Sequence, residues 1–298
     1  MTLLSLSLRE RVRVRGNFGR HQSAKETKMK SAVTISLTPE ARGGPFVFWD
    51  ALETSLDKAH RLGFDAVELF PPAASEIDAT KVRPLLEKHN LRVSSVGSGG
   101  GWVKHKLTLT SPDPAVRTKA KEFISNLIDA AGALGAPVII GSMQGRWGES
   151  VSREDALSTL GSALEEFAER AARHNVKLFY EPLNRYETNL MVTLAEGVSF
   201  LRSLKAKNVR LLADLYHMNI EESNLAAALR EAGDLLGHVH LADSNRRPAG
   251  FGHTDFAAIA RALCDINYTG YVSAECFPWP DSDSAAAKTM ETIRKYFA

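Results

Sequence analysis

Four short apolar runs in this sequence stop on a side chain that can bind a metal or carry a proton. Lys-Leu-Phe-Tyr reaches Glu181, Val-Arg-Leu-Leu-Ala reaches Asp214, His-Val-His ends on His240, and Gly-Tyr-Val-Ser-Ala reaches Glu275. Apolar runs of this length, rich in β-branched and aromatic residues, are strand signals. A strand with an ionisable group at its C-terminal end is how parallel α/β barrels hold their chemistry. The four groups meet only if the strands run parallel and their C-terminal ends converge, and that requirement limits the fold more than any other feature.

The remainder of the chain fits this requirement. Strands are predicted at Ala32–Leu37, Ala66–Phe70, Leu91–Val96, Pro137–Gly141, Lys177–Tyr180, Val209–Ala213, Leu236–Leu241 and Gly270–Ala274. Between them lie amphipathic helical periods such as Trp49–Leu62, Val116–Leu134, Ala156–His174 and Leu194–Leu204, with apolar residues recurring at three and four. No linker divides them, so residues 29–298 read as one α/β domain, a (β/α)8 TIM barrel. A doubly wound open sheet is the competing architecture, but no Gly-x-Gly-x-x-Gly turn follows the first strand. The glycines at 97, 99, 100 and 101 lack the Lys-Ser/Thr of a phosphate loop and are expected to form a flexible loop over the barrel mouth.

Composition narrows the function classes. The net charge is +2, but residues 1–28 carry seven Lys/Arg against two Glu, which leaves the remainder at about −3. That tail lacks the apolar core and cleavage site of a signal peptide and is expected to be disordered; Met29, just ahead of the first strand, is a candidate translation start. A mildly acidic body argues against a nucleic-acid partner. No apolar run approaches the ~20 residues that span a bilayer. Two cysteines, Cys264 and Cys276, give no disulfide framework, which suits the cytoplasm. A homo-oligomer is compatible with the sequence.

Converging at one barrel end, Glu181, Asp214, His240 and Glu275 place three carboxylates against one imidazole. Unpaired, they would repel one another into taking up protons, whereas a divalent cation turns them into a stable site. Oxygen-rich ligation with one His suits Mn²⁺, with Mg²⁺ or Co²⁺ as alternatives. Around this cluster, His217 either reaches the metal region or caps the next helix. Arg246 offers a forked donor to substrate oxygens or pairs with Asp243 or Asp255. Glu187 reaches a substrate hydroxyl or pairs with Arg185. Trp102 and Trp147 are candidates to exclude water, and Lys104-His105-Lys106 with Arg146 read as a phosphate site or as a solvated basic face.

The segments Glu-Pro-Leu-Asn-Arg-Tyr-Glu, Asp-Leu-Tyr-His-Met-Asn-Ile-Glu-Glu, His-Leu-Ala-Asp-Ser-Asn-Arg and Ser-Ala-Glu carry a resemblance. They are similar to the motifs of the D-tagatose and D-psicose 3-epimerases, within the xylose isomerase-like barrel superfamily. The likeness is specific from Phe179 to Glu275 and general before it. It implies a metal bound at Glu181, Asp214, His240 and Glu275. It further implies Glu181 and Glu275 as the acid/base pair that inverts C3 of a ketose through an enediolate, with Glu187, His217 and Arg246 holding the sugar. An aldose–ketose or hydroxypyruvate-type isomerase, or an inosose dehydratase, would use similar parts, and a non-catalytic sugar-binding protein is the rival from another class. The related apurinic endonucleases need further histidines early in the chain.

Overall fold

The structure, a computed structural model, describes residues 29–148 and 150–298; the tail expected over residues 1–28 lies outside them. Eight parallel strands close into a barrel in sequence order: β1 Lys30–Ser36, β2 Ala66–Phe70, β3 Arg92–Gly97, β4 Val138–Ile140, β5 Leu178–Tyr180, β6 Val209–Asp214, β7 Leu236–Leu241 and β8 Tyr271–Ala274. β1 pairs with β8 from Lys30 opposite Tyr271 to Val33 opposite Ala274, which removes both sheet edges and rules out the doubly wound alternative. All eight predicted strands are present, displaced by at most a few residues.

Helices return the chain to the start of each next strand. They are α1 Leu52–Leu62, α2 Ala79–Lys88, α3 Gly100–His105, α4 Pro114–Ala133, α5 Arg153–Arg173, α6 Leu194–Ser203, α7 Leu215–Glu221, α8 Leu225–Ala232, α9 Phe256–Asp265 and α10 Ser282–Tyr296. Local chemistry fixes their starts. Asp113, Ser152, Asn224, Asp255 and Asp281 accept backbone N–H bonds as N-caps of α4, α5, α8, α9 and α10, and α6 opens on a Thr193–Glu196 capping box. Among the described residues no helix is long and apolar enough to cross a membrane.

Side-chain alternation divides the strands into two sets. Val33, Val67, Ile140, Tyr180, Leu211 and Val239 pack outward into the main apolar core with the helices. Ile139, Phe179 and Leu212 form a separate buried cluster inside the barrel, below its mouth. A step of two residues up each inward-facing row goes from Phe179 to Glu181, from Leu212 to Asp214, from His238 to His240 and from Ser273 to Glu275. The alternation that builds the core therefore also aims the four ionisable groups inward.

One expectation changes here. The glycine-rich stretch after β3 runs directly into α3 and does not form an open loop, and Gly100 and Gly101 are buried. A Cβ at Gly100 would sit 2.4 Å from the Pro71 carbonyl oxygen, and one at Gly101 2.6 Å from Met143 Sδ. The glycines let α3 lie against its neighbours.

The outer core carries the stability. Phe167 of α5 is fully buried in it, so Phe167→Ala is expected to lower the unfolding free energy by about 3–5 kcal/mol. Urea denaturation reads this directly, and a loss under about 1 kcal/mol would contradict the packing described.

Candidate active site

At the C-terminal end of the barrel, one oxygen each from Glu181, Asp214 and Glu275 and one nitrogen of His240 lie within 4.8 Å of one another. Strand register brings them there. Asp214 is opposite His240 in the β6–β7 ladder, the Glu181 amide donates to the Ile140 carbonyl at 3.0 Å, and the Glu275 amide donates to the Leu241 carbonyl at 3.4 Å. His240 Nδ1 stands 3.1 Å from Glu275, 3.4 Å from Glu181 and 3.5 Å from Asp214. It is nevertheless buried and makes no aligned hydrogen bond.

The other face of that imidazole is anchored. His240 Nε2 is 2.9 Å from Glu68 Oε1, and Glu68 Oε2 is 2.9 Å from His238 Nε2 and accepts from Ser95 Oγ at 2.9 Å. Glu68 comes from β2, across the barrel, and lies opposite Ser95 at a register shift in the β2–β3 ladder. His238 stacks on Phe179 with ring centroids 5.2 Å apart. A carboxylate behind a histidine fixes its tautomer and ring plane and turns the remaining nitrogen toward the site. Sequence reading missed this role for Glu68.

The charges respond to one another. Burial opposes the imidazolium of His240, yet Glu275 and Glu68 hold its pKa well above the usual histidine value. Burial also opposes ionisation of Asp214, but the Arg246 guanidinium, with His240, keeps its carboxyl well below the usual range. Glu275 goes the other way: burial raises its pKa, and His240 and Arg246 only partly offset this. Two carboxyl groups in one pocket are thus driven apart, one to stay ionised and one to take up a proton more readily. Asp214 is further committed, because its Oδ1 accepts the Tyr216 amide at 2.8 Å and caps α7, which leaves Oδ2 for the cluster.

Arg246 reaches the barrel mouth, on ion-pair partners that the sequence did not give. Its guanidinium bridges Asp214 and Glu275, and it pairs with neither Asp243 nor Asp255. It also lies over the Tyr216 ring at 4.9 Å. Asp243 organises the turn that carries it, accepting amides from Ser244, Gly250 and Thr254 at 2.8, 2.7 and 3.1 Å. Arg246 itself sits at φ 62°, in the left-handed region. Asp255 is the cap of α9.

His217 is buried on α7, with Nδ1 2.7 Å from Asn184 Nδ2, and its Nε2 lies 3.8 Å from Asp214 and 4.0 Å from Glu181. Asn184 Nδ2 is a donor, so Nδ1 accepts and Nε2 carries the proton that faces the cluster. Asn184 also donates to Glu187 Oε1 at 3.0 Å. Arg185 is turned away onto Glu221 at 2.8 Å, which leaves Glu187 facing the cavity. Gln144, likewise missed, donates to the Glu181 carbonyl at 3.0 Å and accepts from the Tyr180 hydroxyl. Gly141 leaves room for Glu181, since a Cβ there would lie 2.4 Å from Oε2.

A cavity of about 340 Å³ opens above the cluster, lined by Phe46, Trp102, Glu181, His217, Arg246 and Glu275 among others. Trp102 faces it from α3. Trp147 does not line it; its amide and indole N–H groups donate to Asn189 at 2.9 and 2.6 Å. The basic stretch is dispersed, with Lys104 on Glu40 at 3.5 Å and Lys106 over the Trp102 ring at 5.0 Å.

Arg246→Ala would leave two buried carboxylates without their partner. In chelator-treated protein near pH 8 it is expected to cost about 3 kcal/mol of stability. The Arg246 contribution rests on ionised Asp214, whose pKa is depressed, and on restraining the raised pKa of Glu275. Both effects need deprotonated carboxyls, so the share of Glu275, whose pKa is raised, should fade first as the pH falls, and that of Asp214, whose pKa is depressed, only below the ordinary carboxylate range of about 4. A deficit that does not change with pH would contradict the pairing.

Residues 56–296 match the family described as the xylose isomerase-like TIM barrel. The L-ribulose 3-epimerase of Methylomonas sp. is 33% identical over 80% of this chain and 89% of its own length. The D-psicose 3-epimerase of Agrobacterium fabrum is 32% identical over 80% of each. Among solved structures, a D-allulose 3-epimerase from Methylomonas sp. in complex with D-allulose superposes with a TM-score of 0.77 at 29% identity, covering 91% of this chain and 98% of that one. A closed eight-stranded barrel with ionisable groups at its strand ends, joined to this degree of likeness, establishes that the chain belongs to the ketose 3-epimerases of the xylose isomerase-like TIM barrel family, a family of carbohydrate epimerases.

Proposed function

We propose that this chain is a divalent-metal-dependent epimerase that inverts C3 of a ketose, with Glu181 and Glu275 as the acid/base pair. The observation that carries the reading is His240. Its Nε2 is tied to Glu68, while its buried Nδ1 points without a hydrogen bond at three carboxylates. That donor set fits a cation held by Glu181, Asp214, His240 and Glu275. Oxygen-rich ligation with one imidazole favours Mn²⁺, with Mg²⁺ or Co²⁺ as substitutes. The adjoining cavity of about 340 Å³ is of a size that takes a small sugar. When bound, the cation would supply the positive charge that acidifies the proton α to the ketose carbonyl.

The side chains do the rest. One of Glu181 and Glu275 takes the C3 proton from one face of the sugar, and the other delivers a proton to the opposite face, so the configuration inverts. Burial makes Glu275 the readier of the two to take up a proton, and the lowered pKa of Asp214 suits a group that stays ionised throughout. His217, with Nε2–H facing the cluster, and the cavity-lining Arg246 are donors for the charge that develops on the sugar oxygens. Glu187, exposed to the cavity and steadied by Asn184, accepts from a sugar hydroxyl.

Chelation is expected to abolish activity and lower the unfolding temperature, and Mn²⁺ or Co²⁺ to restore both, because a ligand of the folded state stabilises it by mass action. Full activity in protein shown to be free of metal would refute the metal's role. Glu181→Gln and Glu275→Gln are each expected to reduce net epimerisation by at least about 100-fold, the scale of losing a positioned acid or base. Net inversion at the normal rate in either variant would remove that glutamate from the pair.

A further inference from the structure

A second cavity, of about 440 Å³, adjoins the first, and the two share Trp102, Ser142 and Glu187 in their walls. Its outer wall is built by Thr108, Arg146 and Tyr186. We propose that this outer chamber is a subsite for a second glycosyl ring, so that the ketose unit processed inside belongs to an O-glycosylated ketose. The proposal rests on the reading of the inner cavity as a ketose site.

Two observations support a neutral, ring-shaped occupant. Two large aromatics stand unusually exposed at this spot, Trp102 at 40% and Tyr186 at 75%. Flat amphipathic rings of this kind gain by covering the C–H face of a sugar while their polar edges stay wet. The charge does not suit a phosphate. Among the described residues Arg146 is the only cationic side chain in the lining, its guanidinium already donates to the Tyr186 carbonyl at 3.2 Å, and the Glu187 carboxylate shares the wall. Lys104 and Lys106, the other cations nearby in sequence, are engaged with Glu40 and the Trp102 ring.

The chamber is also preformed. Thr110 Oγ1 lies 3.0 Å from both the Gln144 and Arg146 carbonyls, and Thr188 Oγ1 donates to the Gly145 carbonyl at 2.9 Å. Gly145 sits at φ 89°, and a Cβ there would fall 2.3 Å from Thr110 Oγ1, so the turn carrying Arg146 is packed against its neighbours. A subsite with fixed walls adds affinity without an ordering cost.

The test is a sugar panel with the full-length protein and Mn²⁺ in D₂O, following C3 proton exchange by NMR. Free D-fructose, D-tagatose and D-ribulose are compared with D-fructose carrying a hexosyl group on O1, O4, O5 or O6: trehalulose, lactulose, leucrose and isomaltulose. D-Fructose 6-phosphate is included. At least one disaccharide is expected to exceed the best free ketose in kcat/KM by roughly tenfold or more. Arg146→Ala and Tyr186→Ala, both at exposed positions that the fold tolerates, should each reduce that ratio by about the same factor. Disaccharides no better than free ketoses, or a ratio unmoved by both variants, would overturn the subsite while leaving the epimerase reading intact. A tenfold preference for the phosphate that disappears in Arg146→Ala would overturn the glycosyl assignment. Exchange at C3 in none of these sugars would overturn the underlying epimerase reading itself.

Discussion

Everything at the barrel mouth depends on how negative charge is confined there. Glu68, Glu181, Asp214 and Glu275 surround one imidazole, and all five groups are buried or nearly so. Such a cluster holds together only if positive charge is placed inside it, and the structure supplies that charge through Arg246 and His240. The same demand explains why Asp214 and Glu275, both bridged by one guanidinium, are pushed to opposite sides of the ordinary carboxylate range. Both face Arg246 and His240, but Asp214 also caps a helix start, while for Glu275 the cost of burial wins.

The barrel makes that confinement precise in position. Alternation along each strand fills the interior with Ile139, Phe179 and Leu212, and two residues beyond Phe179 and Leu212 it delivers Glu181 and Asp214 to the rim. Polar contacts then remove the remaining freedom. Glu68 turns His240, Gln144 holds the Glu181 backbone, Asn184 sets the tautomer of His217, and Asp243 shapes the turn that presents Arg246. Of these four, Glu68 also lines the cavity, while Gln144, Asn184 and Asp243 act from behind it.

The eight strands were legible as short apolar runs alternating with helical periods, and the four strand-end groups because four of those runs stop on a single ionisable residue. Glu187 and His217 were legible as candidates from their places just after Glu181 and Asp214, each with a second reading open, and likeness of motif implied their role. Glu68 was visible within the second predicted strand, but its partners His238 and His240 lie some 170 residues away across the barrel, a relation that no periodicity reveals. Arg246 was placed on the correct loop but on different partners, because its choice between Asp243, Asp255 and the cluster depends on a left-handed turn set by three backbone amides. The glycines after β3 resembled a loose loop, since their close approach to Pro71 and Met143 is a tertiary fact.

The central claim is that two carboxylates serve opposite faces of a single carbon, and the position of solvent hydrogen in the products tests it most directly. Incubation of the metal-loaded enzyme with a free ketose in D₂O should place deuterium at C3 of both epimers and leave C1 unlabelled. Deuterium at C1 or C2 with aldose product, and none at C3, would mean proton transfer between adjacent carbons and would contradict the account.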